Sequence, residues 1–334
     1  MTGAGHSPLR KIRFAAIDLG SLTVRLAVAE SRGPGQFQLL LHLREITRLG
    51  RGLAQTGELA PEGMAQTFQA LAGFKQALAD HGVENCLVAA THAVRAAKNG
   101  PIFVKRLREE LGLEVRVLAP EEEARLSLQG VLSALAPPYL QTPVLVADVG
   151  GGSSEFALAQ PGREPQFASL PLGVLTLSQA HLLGDPPDPE KVAALKRLLA
   201  QDLARFRDLS FPSPRLVGAR LVGTAGAVNT LAAMYLKLTR YDPNRVSNLL
   251  LTRTLVAELS ELICRLPEAK RARLPGMEPA KAGVMVAGAL LILTILEVFG
   301  QDSLVVANAG LLDGIMASFN EDTMKFRVSS FELK

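Results

Sequence analysis

A glycine-rich turn between two apolar runs most restricts how this chain can fold. Residues 144–148 form an apolar run that ends in Asp148, residues 150–153 are three glycines and a serine, and a second apolar run follows Glu155. This order predicts a strand, a glycine turn and a strand. Glycines let backbone N–H groups approach an anion, and the two bracketing carboxylates suit a divalent cation. The alternative is an ordinary hairpin with two solvated acids.

A second copy of this arrangement lies 130 positions earlier in the chain. Residues 15–28 again place an apolar run before Asp18 and a turn at Gly20, and Arg25 stands where the later copy has Glu155. Each copy opens a segment of similar length, which predicts two related lobes. Two phosphate-binding hairpins that face each other would form a cleft for a phosphorylated ligand. This layout resembles the actin-like ATPase superfamily.

The resemblance implies an α/β chain with the actin-like ATPase (ribonuclease H-like) fold. Two duplicated lobes, each a mixed sheet flanked by helices, would enclose a central cleft. The sequence Ala-Pro-Pro at 136–138 ends a long helical pattern because proline cannot continue a helix. We therefore expect an N-terminal lobe over residues 1–135 and a C-terminal lobe over 136–334, with the last residues packing back on the first lobe. Residues 1–8 and those past Asp322 should be peripheral.

Composition narrows the classes of function. The 334 residues suffice for two domains with real cores, and 48% hydrophobic against 20% charged residues is typical of a globular protein. Cys86 and Cys264 lack metal-ligand spacing, which argues against a zinc site and fits a reducing cytoplasm. The net charge of +4 is compatible with a polyanionic substrate. The absence of tryptophan and of interleaved basic and aromatic residues argues against nucleic-acid binding.

The sequence also argues against a membrane location. No apolar signal-peptide core follows the basic residues near the N-terminus. The apolar run 281–299 approaches the length of a membrane span, but Lys281 and Glu297 bound it and its small residues suit close packing. We expect a central buried helix there.

Three further stretches have anion-binding character. A strand over 86–90 leads into a helix that begins near Thr91, where free N–H groups, a hydroxyl and the guanidinium of Arg95 would meet a phosphate. His92 is a candidate general base there, but nothing nearby in the sequence orients it. Arg48 lies in a basic, glycine-bearing loop that is either a phosphate clamp or a solvated loop. Residues 223–226 form another strand-to-helix glycine turn.

Three consecutive glutamates, Glu121, Glu122 and Glu123, follow Pro120 at the start of a long helix. Proline suits a first helical turn, and acids there complement the helix dipole, which would explain all three. Successive residues on a helix point about 100° apart. At most one or two of these side chains can therefore face a cleft between the lobes.

Taken together, the motifs resemble the exopolyphosphatase / guanosine pentaphosphate phosphohydrolase family. The matching stretches run in order through nearly the whole chain, at 18–21, 48–53, 91–95, 122–126, 148–155, 223–226, 241–243 and 309–311. The resemblance implies hydrolysis of the terminal phosphate of inorganic polyphosphate, with Mg²⁺ as cofactor, in a short two-lobed form. The alternatives are hydrolysis of guanosine pentaphosphate and sensing of guanosine penta- or tetraphosphate with little turnover. A homodimer follows from the resemblance alone.

The family's catalytic glutamate directly precedes an alanine, which on this chain makes Glu123 the catalytic residue. The metal ligands correspond to Asp148 and Glu155. The residues expected to bind phosphate, from the resemblance and from the turns described above, are Asp18, Gly20, Ser21, Arg48, Thr91, Arg95, Gly150, Gly151, Gly152, Ser153, Gly223 and Thr224.

The chain departs from the family pattern in three of these motifs. Leu22 stands where an asparagine is usual, Ser247 where the pattern often has histidine, and Leu312 where it commonly has arginine. The expected catalytic core is complete, whereas part of the outer ligand-contacting set is altered. An ATP-using kinase would need an adenine pocket and an acceptor site that the sequence does not identify.

Overall fold

A computed structural model describes residues 12–33, 36–182, 184–212 and 215–319. The expectations for residues 1–8 and for residues past Asp322 lie outside these ranges. Within them, no helix is both long enough and apolar enough to cross a membrane.

The first sheet has five strands in the order β3-β2-β1-β4-β5. Strands β1 to β3 are antiparallel, whereas β4 and β5 run parallel to β1. The strands are β1 Arg13–Leu19, β2 Thr23–Gly33, β3 Gln36–Ile46, β4 Asn85–Ala90 and β5 Val115–Val117.

The second sheet has six strands in the order β10-β11-β9-β6-β7-β8. It repeats the first sheet, with a hairpin and a third antiparallel strand on one side, parallel strands on the other, and β10 added at the edge. The strands are β6 Val144–Val149, β7 Ser154–Gln160, β8 Arg163–Leu170, β9 Arg220–Thr224, β10 Leu250–Thr252 and β11 Ser303–Val306.

The register of the two hairpins shows the duplication directly. Asp18 pairs with Arg25 across β1 and β2, and Asp148 pairs with Glu155 across β6 and β7. The predicted α/β fold with two mixed sheets is thus confirmed. Strand β10 was not predicted.

Helices cover both sheets. They are α1 Leu53–Thr56, α2 Pro61–Asp80, α3 His92–Ala96, α4 Gly100–Leu111, α5 Pro120–Ala134, α6 Val174–His181, α7 Pro189–Ser210, α8 Gly226–Tyr235, α9 Pro243–Val246, α10 Arg253–Arg265, α11 Glu268–Arg271, α12 Met285–Val298 and α13 Leu311–Ala317, with 3₁₀ turns at Pro137–Gln141 and Pro279–Lys281. Helix α12 is buried along almost its whole length, as expected. It begins later than predicted because Pro279 opens a separate 3₁₀ turn.

Helices α5 and α13 cross between the two sheets. Leu128 and Val131 of α5 pack on the second sheet, and Leu312 and Ile315 of α13 pack on the first. The two helices touch at glycines, since a Cβ on Gly130 would lie 2.0 Å from the carbonyl oxygen of Gly310. This crossing holds α5 between the hairpins. The lobe boundary at residue 135 remains a prediction.

Candidate active site

The two glycine hairpins meet across one large cavity of about 1010 Å³, here called the front cavity. A Cβ on Gly152 would lie 2.6 Å from Ser21 Oγ, and one on Gly151 would lie 3.0 Å from Leu22 Cβ. Only glycine allows this approach, because a side chain at either position would force the hairpins apart. The repeated turns thus form two walls of one site.

Most of the predicted site residues line the front cavity. They are Asp18, Gly20, Ser21, Thr91, Glu123, Asp148, Gly150, Gly151, Gly152, Ser153, Glu155 and Thr224. Loops and strand ends that are far apart in the sequence therefore converge on one cavity.

Three predicted residues lie away from this wall. Arg48 donates from Nη2 to the carbonyl oxygen of Ala280 at 2.9 Å, so its guanidinium joins the two halves of the molecule. Gly223 lies within β9, where a Cβ would meet the side chain of Val228 at 3.1 Å. Arg95 is not part of the front-cavity lining, and its guanidinium donates a hydrogen bond to Glu123.

The three consecutive glutamates have separate environments. Glu123 is 7% exposed and accepts a hydrogen bond from Arg95 Nη1 at 2.9 Å. Glu122 pairs with Arg116, and the exposed Glu121 is reached by Arg125. Of the three, Glu123 alone lines the front cavity. This divergence is what helix geometry requires.

Helix α5 supplies a second buried polar side chain one turn after Glu123. Ser127 is 1% exposed and donates from Oγ to Asp148 Oδ2 at 2.5 Å. Residues four apart share one helix face, so α5 directs both side chains at the same site. We did not predict Ser127, although its i+4 spacing from Glu123 is a signal that sequence analysis can use.

The two hairpins differ in charge. Asp18 Oδ2 accepts from Arg25 Nε at 2.9 Å and from Nη2 at 2.5 Å, which neutralises the first hairpin. The second hairpin carries two acids, and Glu155 Oε1 accepts a hydrogen bond from a neutral hydroxyl, that of Ser169, at 3.0 Å. Negative charge is therefore concentrated at the second hairpin.

Comparison with known proteins decides the family. Residues 27–322 match the model of the Ppx/GppA phosphatase family. The chain belongs to this family. Its relatives include Exopolyphosphatase 2 of Mycobacterium tuberculosis, 33% identical over 326 residues that cover 92% of this chain and 98% of that protein. Membership confirms the predicted family and enzyme class, a phosphoanhydride hydrolase.

Two further similarities support the assignment. A guanosine-5'-triphosphate,3'-diphosphate pyrophosphatase of Aliivibrio fischeri is 26% identical, and the match covers 90% of this chain but 58% of that protein. The crystal structure of the Aquifex aeolicus family member superposes with a TM-score of 0.75 at 32% identity, covering 92% of this chain and 97% of that one.

The buried carboxyl groups of this Ppx/GppA site do not readily ionise at the same time, because burial and repulsion between neighbouring acids raise their pKa values. Burial and the neighbouring Asp148 raise the pKa of Glu155 to about 7. Burial raises the pKa of Asp148 as well. Burial and repulsion from Glu155 raise the pKa of Glu123 well above its ordinary value, although Arg95 opposes the shift. A bound cation would relieve this repulsion.

The donor set fits Mg²⁺ held jointly with a substrate. In the described part of the chain, no group of three or more His, Cys, Asp or Glu residues is arranged to hold a metal by itself. Mg²⁺ in phosphoryl-transfer sites is held by one or two carboxylates together with phosphates and water. The buried carboxylates of Asp148 and Glu155 are hard oxygen donors of this kind.

Without metal, ionisation of Glu155 should destabilise the Ppx/GppA fold. Its folded pKa of about 7 lies above the ordinary 4.5, so the folded state binds more protons between these values and stability falls as pH rises through that window. In EDTA, Glu155→Gln should be more stable than the wild type at about pH 8, by at most about 3 kcal/mol at roughly 1.4 kcal/mol per pKa unit, with no gain near pH 4.

Thermal melting at both pH values measures this effect. Glu164→Gln, which changes an exposed carboxyl on β8, is the matched control. Equal melting of the two variants at about pH 8 would contradict the proposed repulsion between buried acids.

Proposed function

We propose that this protein is a Mg²⁺-dependent exopolyphosphatase that releases orthophosphate from the end of inorganic polyphosphate. The observation that carries the proposal is the position of Glu123, a buried carboxylate on the wall of the front cavity beside two glycine turns. The match to Exopolyphosphatase 2 over nearly the full length of both chains supports it.

The chain's own residues supply binding and proton transfer. Backbone N–H groups of the turns around Gly20 and Gly151 would bind phosphate oxygens and take up charge in the transition state. Glu123 would orient a water molecule and accept its proton as it attacks the terminal phosphorus. Mg²⁺, bound by Asp148 and Glu155, would neutralise charge on the phosphates.

Cations along the rest of the front cavity suit a polyanionic chain. Arg44, Arg240 and Lys281 are basic residues of its lining, and Arg44 pairs with Arg25 of the first hairpin across β2 and β3. Lys281 is 5% exposed and pairs with Glu278 at 2.8 Å, and Glu278 also accepts from Arg44 at 2.6 Å. The phosphates behind the reacting one would contact these basic residues.

A guanosine pentaphosphate 5'-phosphohydrolase is the second candidate. The front cavity extends to Tyr241, Met277 and Met285, whose aromatic and apolar surfaces suit a nucleobase. A sensor with little turnover is less favoured because Glu123 is retained. We also propose a cytoplasmic location, which the free thiols of Cys86 and Cys264 support. A homodimer stays a prediction.

A side-by-side phosphate-release assay tests the proposal. With Mg²⁺, kcat/KM for long-chain polyphosphate should exceed that for guanosine pentaphosphate and for ATP by about tenfold or more. A faster reaction with guanosine pentaphosphate would favour the second candidate. Tight binding of guanosine polyphosphates with no phosphate release from any substrate would identify a sensor.

A further inference from the structure

The geometry of the front cavity creates a problem for product release, given the proposed function. The acids that surround the reacting phosphate are nearly inaccessible, with Asp18 and Glu155 each 3% exposed. A polymer that enters through the front cavity would fill it behind its terminal phosphate. The orthophosphate formed at the inner end then cannot leave by the front until the whole chain dissociates.

A second cavity of about 510 Å³, here called the rear cavity, adjoins the same centre. Ser153 and His92 line both cavities. Ser153 is 3% exposed and marks the inner end of the rear cavity. Ala96 and Pro171 line it and are exposed, so its outer end opens to solvent.

The side chain of His92 forms part of the wall between the two cavities. The ring of His92 packs on the second hairpin so closely that a Cβ on Gly152 would lie 2.3 Å from its Cδ2 atom. Arg95 and Ser169 line the rear cavity and reach through the wall. Arg95 binds Glu123 at 2.9 Å, and Ser169 binds Glu155 at 3.0 Å.

The chemistry of the rear cavity suits orthophosphate. Its inner lining combines the guanidinium of Arg95 with the hydroxyls of Ser153 and Ser169. Within the described ranges, the hydrogen bonds of Arg95 run from Nη1, which leaves the rest of its fork to meet an anion. Glu121 is the acid of this lining, and it is exposed.

The side chain of His92 is suited to form a movable, uncharged barrier between the front and rear cavities. Burial and the nearby Arg95 lower the pKa of His92, which favours the neutral imidazole. A neutral ring does not hold an anion by charge, yet it offers a hydrogen bond as the anion passes.

We propose that the rear cavity is a transient binding site and exit path for the orthophosphate product, with His92 as the partition between the cavities. Product would leave by the rear while the shortened polymer remains bound at the front. This arrangement makes hydrolysis processive, because the chain can advance without dissociating.

Filling the rear cavity should slow the release of orthophosphate into solution without slowing its formation on the enzyme. Phe167→Trp enlarges a lining side chain on the same face of β8 as Ser169, and Ala96→Trp covers the exposed end of the cavity. Ala65→Trp, at an exposed position on α2, is the matched control. Quenched-flow would measure orthophosphate formed on the enzyme, and a fluorescent phosphate-binding protein would measure orthophosphate free in solution. Melting curves establish that each variant is folded.

On long-chain polyphosphate, both filled variants should form orthophosphate at a rate within about twofold of wild type and release it about tenfold more slowly. Gel analysis should show many intermediate chain lengths where the wild type shows few. On tripolyphosphate, which leaves the front cavity unobstructed after cleavage, release should be nearly normal. If both filled variants release orthophosphate at the rate of Ala65→Trp, the inferred exit path is wrong, while the proposed function still stands. A wild type that does not hydrolyse polyphosphate would overturn the proposed function, and this inference with it.

Discussion

Replacing Glu123 with glutamine should lower kcat by roughly 10²- to 10⁴-fold, the usual contribution of a positioned general base. Glutamine keeps the size of the side chain and can still accept a hydrogen bond from Arg95, but it cannot take a proton from water. The raised pKa of Glu123 strengthens it as a base once it is ionised. Steady-state phosphate release on long-chain polyphosphate measures the loss.

The neighbouring glutamates provide matched controls for this variant. Glu121→Gln changes an exposed side chain at the helix start and should cost at most about 1 kcal/mol of stability, through the helix dipole. Glu122→Gln, which loses a partly exposed ion pair with Arg116, should have an intermediate effect at most. Melting each variant separates lost activity from lost fold. Equal losses of activity in all three variants would show that the glutamates serve only as acidic residues at the start of a helix.

Loss of either predicted metal ligand should have the second large effect. Asp148→Asn and Glu155→Gln should each raise the Mg²⁺ concentration for half-maximal activity by at least about 10- to 100-fold, the usual cost of losing even a residue that supports a metal ligand. Each change removes one charge from a buried pair of acids that has no cationic partner on its own hairpin. Excess EDTA should abolish turnover by the wild type.

A Mg²⁺ titration of initial rates at several pH values tests this prediction. Because the pKa of Glu155 is about 7, protons should compete with the metal below that pH, and affinity should fall by up to about tenfold per pH unit. Glu155→Gln should lose most of this pH dependence, whereas Glu164→Gln should keep it. Undiminished hydrolysis in EDTA would contradict the metal assignment.

The sequence was sufficient to predict the duplicated fold and most of the cavity wall. Asp18 and Asp148 end equivalent strands, and local strand–glycine–strand patterns fix both their neighbours and their direction. Helix geometry indicated that the three glutamates cannot all face the cleft, and the resemblance to the family singled out Glu123. In these cases the deciding interaction is local.

The features that were missed depend on packing between distant segments. The contact between α5 and α13 joins Gly130 to Gly310, which no local pattern indicates. The side chain of Arg48 reaches Ala280 rather than the cavity, because the second lobe presents a carbonyl oxygen there. The rear cavity is likewise formed by segments that meet only after folding, among them α3 and β8.

The central claim is that Glu123 activates the attacking water, whereas binding of polyphosphate does not depend on the carboxylate of Glu123. Measuring equilibrium binding and turnover on the same preparation of Glu123→Gln tests this claim most directly. With Mg²⁺ present, we expect polyphosphate to bind at least as tightly as to the wild type, because one negative charge beside an anion is gone, while phosphate release falls by roughly 10²-fold or more. Turnover at the wild-type rate in a variant that still binds polyphosphate would contradict the account.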